Sequence, residues 1–102
     1  MAQFDVFPNP VEELRDTHPY VLAIQSNFLN RPIAVITVAL ARAQRGPTNT
    51  LNPWVEVAGE TLVLETLALT SFEPGDLRRP IANLSQNAAA IWDALDFALH
   101  GY

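Results

Sequence analysis

Pro80-Ile81-Ala82-Asn83-Leu84-Ser85-Gln86-Asn87-Ala88-Ala89-Ala90-Ile91-Trp92-Asp93-Ala94-Leu95-Asp96-Phe97-Ala98-Leu99-His100-Gly101-Tyr102 contains a one-sided helix, and the rest of the chain is read outward from it. Leu84, Ala88, Ile91, Leu95 and Ala98 fall at i, i+4, i+7, i+11 and i+14, an apolar stripe at the α-helical period. Three successive alanines add intrinsic helix preference. Asn83 or Ser85 offers a side-chain oxygen to cap the first free N–H groups, and Gly101 stands where a left-handed C-terminal cap belongs. One residue follows that glycine, so His100, Gly101, Tyr102 and the terminal carboxylate are expected to form an uncovered tip. By periodicity this is a core-packing helix, and its tip is either a fraying end or a functional one.

A helix with one apolar face needs a surface to cover, and the upstream chain supplies strands. Gln3-Phe4-Asp5-Val6-Phe7 reads as the first, stopped by Pro8 and Pro10. Residues 11–19 are polar and mixed in charge: a surface loop with one helical turn. Residues 20–26, from Tyr20 to Ser26, read as the second strand. Asn27-Phe28-Leu29-Asn30 then places two large apolar residues where turns are ordinarily polar. Phe28 and Leu29 either fold back onto the core or wait for a partner. Ile33-Ala34-Val35-Ile36-Thr37-Val38-Ala39-Leu40 is rich in β-branched residues and predicts a strand buried on both faces in the middle of the fold. Residues 42–50 are a loop holding Arg42 and Arg45, the basic cluster of the chain. Ala58-Gly59 separates two strand patterns, 51–57 and 60–65, which predicts a hairpin. Leu67-Ala68-Leu69-Thr70 is a last short strand or a packing segment, and Glu73-Pro74-Gly75-Asp76 is a turn. The expected fold is mainly β with one C-terminal helix (β+α): about five antiparallel strands in a bent sheet or partly open barrel, closed on one side by the helix.

Length and composition limit the function. The 102 residues are expected to form a single domain, 1–102. No cysteine is present, so disulfides, thiolate zinc sites and cysteine nucleophiles are excluded. Eleven acidic against six basic residues leave a net charge of −5, all cations being arginine. That balance opposes a direct nucleic-acid partner, whose phosphates are neutralised by Lys and Arg. Asp5, Pro8 and Pro10 interrupt any leader-like apolar run, and residues 33–41 are too short to span a bilayer. A soluble, cytoplasmic chain with no membrane partner is expected. No catalytic constellation forms either. His18 and His100, the two histidines, have no metal-ligand spacing. No serine sits in a nucleophile elbow and no glycine-rich phosphate loop exists, so neither a cofactor nor a metal is expected. Asp93 and Asp96, at i and i+3, read as a solvated helix face. Trp54 and Trp92 read as packing residues.

With these elements placed, the chain resembles the CcdB family of toxins from bacterial toxin–antitoxin pairs. The resemblance runs through Gln3-Phe4-x-Val6, Gln25-Ser26 and Phe28-Leu29 before a proline. It continues through Leu51-x-Pro53-x-Val55-x-Val57 and Leu84-Ser85 to an ending with glycine in the penultimate place. It implies a homodimer with an SH3-like barrel and a C-terminal helix. It further implies a non-enzymatic poison that binds the DNA gyrase A subunit and traps the cleaved gyrase–DNA complex. The gyrase-binding positions it implies are Asp96, His100, Gly101 and Tyr102, with Ser26, Phe28 and Leu29 beside them. A cognate antitoxin with a disordered C-terminal segment is implied as a second partner, its candidate receiving loops being 8–17 and 42–50.

The ending departs from the family's usual Trp-Gly-Ile: His100 stands for the tryptophan and Tyr102 for the isoleucine, while Asp96 replaces an amide. Histidine is a smaller stacking platform, and Tyr102, two residues later, is expected to take over the stacking. Two alternatives remain at this point. One is an mRNA endoribonuclease toxin of the same barrel, which requires a basic groove and an acid/base pair. The other is a homologue that keeps the fold and has lost gyrase poisoning.

Overall fold

The computed structural model describes residues 2–27, 32–42 and 49–101. Six strands and one α-helix follow in chain order: β1 (Asp5–Pro8), β2 (Tyr20–Ala23), β3 (Val35–Arg42), β4 (Trp54–Val57), β5 (Glu60–Phe72), β6 (Ala82–Asn83) and α1 (Ala88–His100). The strands are antiparallel in the order β4-β5-β3-β2-β1-β6 and curl into a nearly closed barrel. The mainly β architecture with a C-terminal helix is the expected one, with six strands in place of about five.

The extra strand is β6, two residues whose pairing with β1 no local pattern announces. The short segment at Leu67–Thr70 is no separate strand, because β5 runs unbroken through it for 13 residues. Strand β5 nevertheless bends. Its register against β3 steps from Val38↔Leu69 to Ala39↔Glu65, leaving Thr66, Leu67 and Ala68 unopposed. The buried Thr66 hydroxyl donates to the Leu51 carbonyl at 2.5 Å and holds the corner. Such bulges sharpen the twist and let a sheet curl.

The first strand opens at Asp5, not Gln3, because Phe4 adopts a left-handed backbone with φ 71°. The polar stretch after β1 contains the expected helical turn, a 3-10 turn at Glu12–Leu14. Ala58 and Gly59, at φ 52° and 82°, make the predicted two-residue hairpin. Strand β3 lies inside the sheet as expected. Leu22, Val38 and Leu40 point into the barrel with Val55, Leu62 and Leu64. Val21, Ala23 and Val35 form a second cluster with Phe7 and Leu77 on the opposite face. Burial is not complete along the run, since Ile36 is exposed and Ile33, which precedes the strand, is 92% exposed.

Helix α1 starts at Ala88, later than the Leu84 stripe suggests. Residues Ser85–Asn87 form a 3-10 turn first; Asn83 Oδ1 accepts the Ser85 N–H at 2.9 Å in an Asx turn at its entry, and neither Asn83 nor Ser85 caps α1, whose N-cap is Asn87 without a side-chain bond. Leu84, Ile91, Ala94 and Leu95 are buried in the barrel core, so the apolar face meets the sheet.

Candidate functional site

The 13 residues of α1 span about 20 Å along the axis, and Leu99, His100 and Gly101 at its end are exposed. Burial of Ile91, Ala94 and Leu95 fixes which side faces the sheet, which leaves Asp93, Asp96 and His100 turned outward. Asp96 and His100 are one turn apart, on one exposed face. Gly101 ends the helix at φ 81°, ψ 16°, with its N–H donating to the Phe97 carbonyl at 3.0 Å. A left-handed residue here is the helix stop that glycine favours. A Cβ at Gly101 would meet no atom within 4 Å, so the glycine is required by the backbone angle and not by a close neighbour.

The helix is anchored near its start. Phe4 and Trp92 meet edge to face, with ring centroids 5.4 Å apart and planes at 65°. Leu84 N–H donates to the Phe4 carbonyl at 2.9 Å, and Phe4 N–H donates to Ala23 at 2.7 Å. One residue thus joins β2, the chain entering α1 and the helix itself. Beyond Trp92 the helix also exposes Phe97 and Leu99, the latter by 69%. An aromatic–aliphatic edge beside an acidic and a histidine side chain is suited to contacting another protein.

Ser26 is exposed and lines a cavity of about 250 Å³ together with Gln3, Gln25, Asn27 and Pro32 among others. The ends of this connection are held in place: Gln3 N–H donates to Asn27 Oδ1 at 2.6 Å, and the Gln25 amide bridges the Ala34 carbonyl and the Ile36 N–H. Asp96, His100 and Gly101 lie together at the helix end, and Ser26 lies three residues past β2, on the rim of this cavity. Phe28, Leu29 and Tyr102 lie outside the described residues.

Two features escaped the sequence reading. His18 Nε2 lies 2.5 Å from Glu65 Oε1 while Thr17 Oγ1 lies 2.8 Å from His18 Nδ1, tying the β1–β2 connection to β5. Glu65 is 47 positions away from His18, so no local signal could pair them. The second is an apolar surface. Ile36, Leu67 and Leu69 are all exposed, Leu67 by 71%, where β3 and β5 run past the bulge. Its signal was the alternation of Leu67 and Leu69. Among the described residues no group of three His, Asp or Glu side chains could hold a metal, and no helix is long and apolar enough to cross a membrane.

The barrel, the helix laid across it and the exposed tip define a small β+α module whose prominent outward features are surfaces for another macromolecule. A family model described as CcdB protein matches residues 3–101, and the chain belongs to the CcdB family, the toxins of toxin–antitoxin systems. No curated protein matches it.

Proposed function

We propose that this chain is a toxin that binds the A subunit of DNA gyrase and traps the enzyme with its DNA cleaved. The observation carrying this reading is the α1 tip: Asp96, His100 and Gly101 share an exposed helix end, within a chain of the CcdB family. Tyr102 is assigned by family likeness to the same gyrase contact, and Ser26, Phe28 and Leu29 to a second one. The toxin performs no chemistry. It binds one conformation of its target more tightly than the others, and that differential affinity holds the target there. It acts in the cytoplasm as a homodimer, which the exposed Ile36, Leu67 and Leu69 support, and an antitoxin with a disordered C-terminal segment neutralises it.

Purified gyrase, ATP, supercoiled DNA and the protein test this directly. Linear DNA released by denaturant is the expected product, and joint replacement of Gly101 and Tyr102 abolishes it while the protein stays folded, its melting temperature lowered only by the cost of the left-handed backbone at position 101. Absence of linear DNA from a folded dimer assigns the chain to a homologue with another target, and degradation of RNA by the protein would move it to the endoribonuclease reading.

A further inference from the structure

The barrel is not closed. Strands β4 and β6 are the two ends of the sheet order, and no pairing joins them. A groove of about 700 Å³ runs along this seam, with Val55 and Leu84 in its floor and Glu56, Thr61, Gln86 and Asn87 among its walls. Both edges aim backbone groups into it. Leu64 N–H donates to the Pro53 carbonyl, so the alternate residues Val55 and Val57 bond to β5 and Glu56 directs its N–H and C=O the other way. Across the seam, Leu84 N–H donates to Phe4, so its neighbour Asn83 likewise points its N–H and C=O away from β1.

We propose that this seam binds an extended peptide segment of a protein partner, which pairs with the outward backbone groups of Glu56 and Asn83 and sets Lys or Arg beside the Glu56 carboxylate. A strand four residues long, matched to β4, completes the ladder on both sides. Its alternate side chains rest on the apolar floor of Val55 and Leu84 while the others face outward. The charge follows from the lining, which among the described residues holds Glu56 and no cation, in a chain of net charge −5. The same lining argues against a phosphate backbone as occupant. A second copy pairing through β4 is disfavoured too, because symmetric pairing would set both Glu56 carboxylates on one face of the joined sheet.

The probe is a blocked heptapeptide of alternating valine and lysine, with a valine–glutamate peptide as its control, added to the full chain and followed by amide NMR. The lysine peptide is expected to shift the Glu56, Asn83 and Gln86 amides and to slow hydrogen exchange at Glu56 and Asn83 by about tenfold or more. Glu56→Pro removes an outward N–H that β5 does not use, so it is expected to abolish binding and leave the fold intact. Glu56→Arg keeps that N–H and is expected to exchange preference to the glutamate peptide, which preserves the test if the proline variant fails to fold. The proposal is overturned by no shifts with the lysine peptide, by shifts confined to the α1 tip, by equal binding of both peptides, by unchanged preference in Glu56→Arg, or by self-association through β4.

Discussion

Phe4 occupies the position where three parts of the molecule meet, and it does so in a backbone conformation that costs an ordinary residue about 1 kcal/mol or more. The left-handed φ of 71° turns the chain so that its N–H reaches Ala23, its carbonyl receives Leu84 and its ring, 5% exposed, reaches Trp92. Removing the ring by Phe4→Ala is expected to cost about 3–5 kcal/mol in urea unfolding. Phe4→Gly loses the same ring yet relieves the backbone, so it should be the more stable of the two variants, the reverse of the usual order in a strand. A glycine variant less stable than the alanine variant would mean that the angle stores no strain. Gly101 is the complementary case. With open space around its missing Cβ, Gly101→Ala should cost only the backbone term, about 1 kcal/mol, with the helical circular dichroism retained. The role of Gly101 was legible from its place after an apolar stripe. Nothing near Phe4 signalled its angle, because that angle is imposed by partners at Ala23, Leu84 and Trp92.

Strand β5 shows how an element acquires a shape its composition only hints at. Leu62 and Leu64 face the core on even positions, whereas Leu67 and Leu69 alternate on odd ones. The phase changes at the bulge, and the sequence reading took that change for a break between strands. The backbone continues because Thr66 is held to Leu51. Thr66→Val keeps the volume and the β-branch but deserts the Leu51 carbonyl. A loss of about 1–3 kcal/mol is expected, seen as a lowered thermal midpoint. An unchanged midpoint would show that the bulge stands without this bond. In α1 the stripe of Ile91 and Leu95 was correctly read, because helical periodicity is local. Its first turn was not, since Leu84 belongs to the same core but enters it before the α-helix begins.

At the scale of the whole molecule, the bulge leaves Ile36, Leu67 and Leu69 on an open apolar surface continuous with the β3–β5 ladder. If this surface is the proposed dimer contact, Leu69→Asp should give a monomer in sedimentation while the far-ultraviolet spectrum stays native, because a charge is then buried on association only. A dimer that persists in this variant would move the contact elsewhere. The candidate tip and the Ser26 rim lie on different elements, and a partner touching both must span from α1 to the end of β2. Their joint role was inferred from family likeness and could not be read from spacing.

The sequence by itself determined what depends on neighbours along the chain. The helix stripe and its glycine stop, the Ala58–Gly59 hairpin, the internal place of β3 and the absence of thiol chemistry were all legible, because period, turn angle and composition are local properties. Only the tertiary structure decided what depends on remote partners. These are the pairing of β6 with β1, the left-handed Phe4, the Thr66 corner, the His18–Glu65 contact and the open seam between β4 and β6. Each arises from groups far apart in sequence, whose meeting is set by the curvature of the entire sheet.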